Sequence, residues 1–105
     1  MAQFSLHRNP NSKSKSAIPY LLDVQADLLS ELETRVVIPL FRHKSTRIKP
    51  LTRLTPEIEI QGEKYVLMVP QLAGISTKDL GPCVGDLSPY RNDIIAALDL
   101  LITGF

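Results

Sequence analysis

The chain has a single cysteine, Cys83, only two histidines, and no apolar run long enough to cross a bilayer. One cysteine closes no internal disulfide and gives no thiolate pair for a metal, which predicts a reducing compartment, the cytoplasm. Met1–Lys15 holds no continuous apolar stretch, so no secretory signal is expected. Charge of one sign is also scarce: 12 basic against 11 acidic residues leave a formal net charge of +1. That balance gives no overall field to draw in nucleic acid or a membrane surface. His7 and His43 have no second His or Cys at a metal-binding spacing. A glycine-rich phosphate loop and a Gly-x-Ser-x-Gly elbow are both missing. The expectation is a binding protein with no catalytic residues, no metal ligands and no cofactor.

What is present reads as one small β-rich domain over residues 1–105. A core of this size is marginal alone, which favours burying more surface in an oligomer. Gln3–His7 alternates polar and apolar, as a short strand does. Arg8–Ser16, RNPNSKSKS, has no apolar anchor and is expected to be an exposed, mobile connection. Ala17–Gln25 predicts a second strand, and Asp27–Thr34 a short helical turn with Leu28, Leu29 and Leu32 clustered. Arg35–Leu40, RVVIPL, is β by composition; Pro39 implies that the strand ends there, bulges, or runs along an edge. Arg35, at its head, is expected to pair with an acidic neighbour.

Phe41–Pro56 has no clean period and carries five basic and no acidic residues, an exposed loop by preference over a phosphate-binding one. Glu57–Val69 predicts a hairpin turning at Gln61-Gly62. Ala73–Val84 is irregular and has room for a further strand. Ser88–Ile102 is the clearest element: a helix with Ser88 as N-cap, Pro89 at its first position and Gly104 beyond its end. Ile94, Leu98, Leu101 and Ile102 share one face, with Ile95 beside them. His7 and His43 are expected to be surface imidazoles, and Cys83 a partly buried, unreactive thiol. Phe105 is either docked into the domain or free for a partner.

The ordered segments Asp23–Leu29 (DVQADLL), Arg35–Leu40 (RVVIPL), Asp86–Ser88 (DLS), Asn92–Ile94 and the terminal Thr-Gly-Phe resemble the CcdB toxins of bacterial toxin–antitoxin modules. The resemblance spans nearly the whole chain. It implies a mainly β fold, a small SH3-like barrel with a C-terminal helix related to the MazF and Kid ribonuclease toxins, and a homodimer. It implies a toxin that binds the A subunit of DNA gyrase and traps its cleavage complex with DNA. The implied partners are DNA gyrase, a second copy of the chain and a CcdA-like antitoxin, with operator DNA met only through the antitoxin and no membrane.

Carried across position by position, the gyrase contacts are Leu28, Leu29, Asp99, Ile102, Thr103, Gly104 and Phe105. Thr103 departs from the plasmid members, in which a tryptophan there stacks on an arginine of gyrase. Arg91 stands where they have a glutamate. The alternatives are a homologue that binds antitoxin without poisoning gyrase, and an endoribonuclease toxin.

Overall fold

The computed structural model describes residues 2–43 and 53–104. Among the described residues, seven strands form one antiparallel sheet: β1 (Ser5–Arg8), β2 (Tyr20–Asp23), β3 (Thr34–Arg42), β4 (Glu57–Ile60), β5 (Glu63–Leu67), β6 (Ala73–Ser76) and β7 (Cys83–Asp86). One helix, α1 (Arg91–Thr103), follows them. The order across the sheet is β4-β5-β3-β2-β1-β7, and β6 joins β3 off that path. β3 is the hub. It pairs with β2 through Val37–Leu40, with β5 through Leu40–Arg42 and with β6 through Thr34–Val37. Among the described residues the edge strands β4 and β7 do not pair with each other, so the sheet curls into a half-barrel and stays open. The expected mainly β architecture with a terminal helix is the one found.

Pro39 does not stop its strand. β3 runs through it, and Pro39 is buried opposite Leu21. Val36 O accepts from Val24 N on the β2 side, and Arg42 N donates to Ala17 O on that side too. Even-numbered residues of β3 therefore face β2, and odd ones face away. The proline's missing N–H falls in the gap between β5 and β6, where no ladder partner waits, and its carbonyl still accepts from Met68 N at 3.0 Å. The usual rule against proline in a central strand assumes a neighbour on both sides at that residue.

The β4–β5 hairpin turns where expected. Gln61 (φ 51°) and Gly62 (φ 83°) both take left-handed backbone, the signature of a two-residue type I′ turn. Ala73–Asp86 holds two strands, β6 and β7, rather than one. β1 starts later than Gln3 because Phe4 has φ 66°, a conformation outside strand geometry.

Arg8–Ser16 is not the loose connection expected. The Asn9 side chain is buried; its Nδ2 donates to Ser14 Oγ and Ile18 O, and its Oδ1 accepts from Asn11 N. Asparagine's capacity to mimic backbone groups organises a segment with no apolar anchor. In the Phe41–Pro56 stretch, residues 44–52 lie outside the described ones; Phe41 and Arg42 belong to β3.

The core gathers Leu6, Leu22, Ile38, Leu40, Ile58 and Leu67 from the sheet with Ile94 and Ala97 from α1. Each large aliphatic of this set contributes about 1.5–3 kcal/mol by leaving water. Tyr20 and Tyr65 meet edge to face, ring centroids 5.4 Å apart.

Candidate protein-interaction site

Two exposed apolar groups stand on separate supports. The first follows β2. Asp27–Leu29 forms a 3-10 turn, and Leu28 is 93% exposed, with Leu29 at 47% and Leu32 at 50%. Two leucines on the turn and a third just beyond it would ordinarily bury themselves, so their exposure needs a support that holds the backbone out. That support is polar. Arg35 Nη2 lies 2.7 Å from Asp23 Oδ2, and Arg35 Nε donates to the same oxygen at 2.9 Å, both side chains almost wholly buried. The sequence predicts an acidic partner for Arg35, and Asp23 is that partner.

Gln25 extends this pair toward the loop. Its backbone N donates to Asp23 Oδ1, its Oε1 accepts from Val36 N, and its Nε2 donates to Leu29 O at 2.9 Å. From the other side, Gln3 N donates to Asp27 Oδ1 at 2.7 Å and Gln3 Nε2 to Val24 O. Phe4 N donates to Asp23 O at 2.6 Å, which fixes the left-handed Phe4 beside the same aspartate. The turn is thus clamped by its backbone while its leucine side chains remain outside. Gln3, Gln25 and Leu32 were not among the expected site residues; the clustering of Leu32 with Leu28 and Leu29 was the available signal.

The second group is the end of α1. Ile94 and Ala97 are buried, Ile95 and Leu98 half-buried, but Leu101 lies at the surface and Ile102 is 73% exposed. The stripe predicted as one packing face therefore runs off the core in its last turn. Gly104 ends the helix with φ 80°, its N–H bonded to Leu100 O, the left-handed cap that glycine adopts without a Cβ penalty. Thr103 Oγ1 donates to Asp99 O at 2.7 Å, so its hydroxyl is turned back along the helix. Asp99 is exposed, and Phe105 lies outside the described residues.

The helix begins differently from expectation. Ser88–Tyr90 is a 3-10 turn, and α1 proper starts at Arg91 without a side-chain cap. Ser88 Oγ is occupied elsewhere, donating to Asp86 Oδ2 at 2.7 Å, while Ser88 N donates to Asp86 Oδ1. These two bonds, the hydroxyl's first, hold the Asp86 carboxyl below its ordinary value.

Other candidate chemistry is structural in placement. His7 is buried rather than superficial: its Nδ1 donates to Gly81 O at 2.9 Å, and its Nε2 is 3.0 Å from Ser5 Oγ. Ser5 Oγ in turn donates to Ala2 O. His43 is exposed, 3.1 Å from Glu57 Oε1. Cys83 is exposed on the edge strand β7, not partly buried, as is its neighbour Val84. Among the described residues no three His, Cys, Asp or Glu side chains are grouped to hold a metal ion, and no helix is long and apolar enough to cross a membrane.

The fold resembles a solved structure described as an endoribonuclease in complex with its cognate antitoxin, from a mycobacterial species. The TM-score is 0.74 at 16% identity, over 97% of this chain and 94% of that one. At that identity the likeness is one of fold. Residues 3–104 match the family model described as CcdB protein, which takes in both apolar groups and the network beneath the first. With that match across essentially its whole length, the chain belongs to the CcdB family.

Proposed function

We propose that this chain is the toxin of a type II toxin–antitoxin pair. In this reading it acts as a homodimer that binds the A subunit of DNA gyrase, traps the enzyme on cleaved DNA, and is removed by a CcdA-like antitoxin. The action is binding, with no bond made or broken by the chain itself. Family membership supports the toxin class, and the fold neighbour's complex with its cognate antitoxin supports an antitoxin partner.

The observation that carries the gyrase reading is the pairing of exposure with rigidity. Leu28 and Ile102 are both largely exposed, yet each sits on a fixed backbone, one clamped by Gln3 and Gln25, the other ended by the Gly104 cap. Preorganised apolar anchors lose little freedom on docking, which is what a binding tip requires. Leu28, Leu29, Asp99, Ile102, Thr103, Gly104 and Phe105 form the proposed contact set. In a homodimer the two copies offer this set twice.

The test is overexpression in cells with sensitive gyrase, scoring growth and covalent gyrase–DNA complex. Growth arrest with recovered cleavage complex is the expected result; normal growth with no complex overturns it.

A second reading has its own observation. Thr103 Oγ1 is bonded to Asp99 O, and threonine offers no ring to stack on an arginine, so the stacking contact of the plasmid toxins has no counterpart. A homologue that binds antitoxin without poisoning gyrase would arrest no growth and still form the complex with antitoxin. The neighbour's name raises ribonuclease activity as a further alternative, read out by cleavage of purified RNA.

A further inference from the structure

His7 is a buried titratable group with no part in the proposed contacts. A carbonyl oxygen only accepts, so the ring's 2.9 Å contact with Gly81 O places a proton on Nδ1. The other ring nitrogen is 3.0 Å from Ser5 Oγ, and that hydroxyl is 2.6 Å from Ala2 O. A serine hydroxyl carries one proton. The Ala2 carbonyl and a neutral Nε2 compete for it.

In the neutral ring Nε2 is a bare acceptor. A hydroxyl that donates to it gives up the bond to Ala2 O. A hydroxyl that donates to Ala2 O leaves two acceptors facing each other across 3.0 Å. In the protonated ring both nitrogens donate. Nδ1–H then meets Gly81 O, Nε2–H meets Ser5 Oγ, and Oγ–H meets Ala2 O, with every atom of the chain satisfied. Taking a charged ring out of water costs free energy, which the two charge-assisted bonds offset. The far end is fixed, because a Cβ on Gly81 would collide with the Arg8 carbonyl.

The near end leads to the exposed leucines. Ala2 O also accepts from Ser5 N at 3.0 Å, closing the turn that holds Gln3 and the left-handed Phe4. Gln3 N donates to Asp27 Oδ1 and Gln3 Nε2 to Val24 O, the clamp beneath Leu28. One series of bonds thus joins the His7 ring to the backbone of the leucine turn.

We propose that His7 is a pH-sensitive device: its protonation completes the hydrogen-bond chain through Ser5 to Ala2 and tightens the Gln3 clamp under the Leu28 turn. By linkage, the added order is present where the ring is protonated and is lost as pH rises through its titration. Imidazoles change charge between about pH 5 and 8. Among the described residues no carboxylate bonds this ring. On β7, Cys83 stands opposite His7 and Asp86 opposite Ser5, but Asp86 is engaged by Ser88. On β2, Leu21 stands opposite His7 and Tyr20 opposite Arg8, and Asp23 is bonded to Arg35. Arg8, Lys78 and Asp79 are exposed. The bond chain is independent of the gyrase reading; only its use at Leu28 rests on it.

The test follows the His7 ring signals and the Gln3 amide of the full chain by nuclear magnetic resonance, from about pH 7.5 to about pH 5.5, above the range where carboxylates titrate. Corrected for intrinsic exchange, the Gln3 amide is expected to exchange about fivefold more slowly at the acid end, the effect of one hydrogen bond gained, with the midpoint of the His7 ring. In Ser5→Ala the ring still titrates and the Gln3 amide no longer follows it. His43→Gln removes the exposed imidazole and changes neither signal. A Gln3 amide indifferent to pH, one that follows pH equally in Ser5→Ala, or a His7 ring of constant charge across the window overturns the proposal. The titration of the unaltered chain decides the matter even where Ser5→Ala loses its fold. Gyrase enters none of these measurements, so failure of that reading leaves them intact.

Discussion

At the scale of single residues, the decisive group is the buried pair Asp23–Arg35. Removing one partner strands the other charge in the interior, a loss of about 3–5 kcal/mol. Asp23→Ala is expected to lower the denaturation midpoint accordingly in guanidinium titrations, whereas replacing both residues by apolar ones of similar volume costs far less. Arg35 Nη1 is already buried with no partner among the described residues, so the pair favours one loop geometry more than it favours stability.

Tyr65 carries the other titratable signal. Burial first, and then the bond its hydroxyl donates to Glu63 at 2.8 Å, push its pKa up to about 12. The neutral form is the one favoured on folding. The stability it contributes is complete below pH about 10, where the unfolded phenol ionises, and is lost as pH rises toward 12. Tyr65→Phe should flatten that alkaline limb in stability measured against pH. The existence of an acidic partner for Arg35 was legible because a charge heading an apolar strand must be neutralised. The burial of His7 was not, because its partner, the Gly81 carbonyl, is distant in sequence and is backbone, which leaves no side-chain pattern.

At the scale of elements, hairpin and helix were legible and the central strand was not. The Gln61-Gly62 turn follows from local chemistry, and the same chemistry predicts an improvement. Asn tolerates left-handed backbone better than Gln, so Gln61→Asn should raise stability by about 0.5 kcal/mol in thermal melts, with no change in the sheet. Pro39 misled because its tolerance depends on a gap between β5 and β6, a property of three strands far apart in sequence.

The last turn of α1 projects off the core. Deleting residues 103–105 should therefore leave the melting temperature within a few degrees and abolish the proposed gyrase binding. A collapse of the fold on truncation would instead make that turn part of the core. Its apolar period was readable; where the core stops beneath it was not, since that depends on which residues β3 and the Val69–Gln71 turn present.

At the scale of the molecule, the two exposed apolar groups leave the core intact when they are changed. Leu28→Asp removes an exposed anchor without touching the core, so it should weaken the proposed gyrase binding at least tenfold, a hot-spot loss, while leaving circular dichroism unchanged. The pairing of β1 with β7 has a kinetic consequence. Leu6 sits opposite Gly85, roughly eighty residues along the chain, whereas the β4–β5 hairpin closes over a two-residue turn. Hairpins zip in about 1–10 μs, but distant strands wait on the entropy of closing a long loop. The seam between β1 and β7 is therefore expected to close last, so amide protection there should lag behind that of the β4–β5 hairpin in pulse-labelled hydrogen exchange.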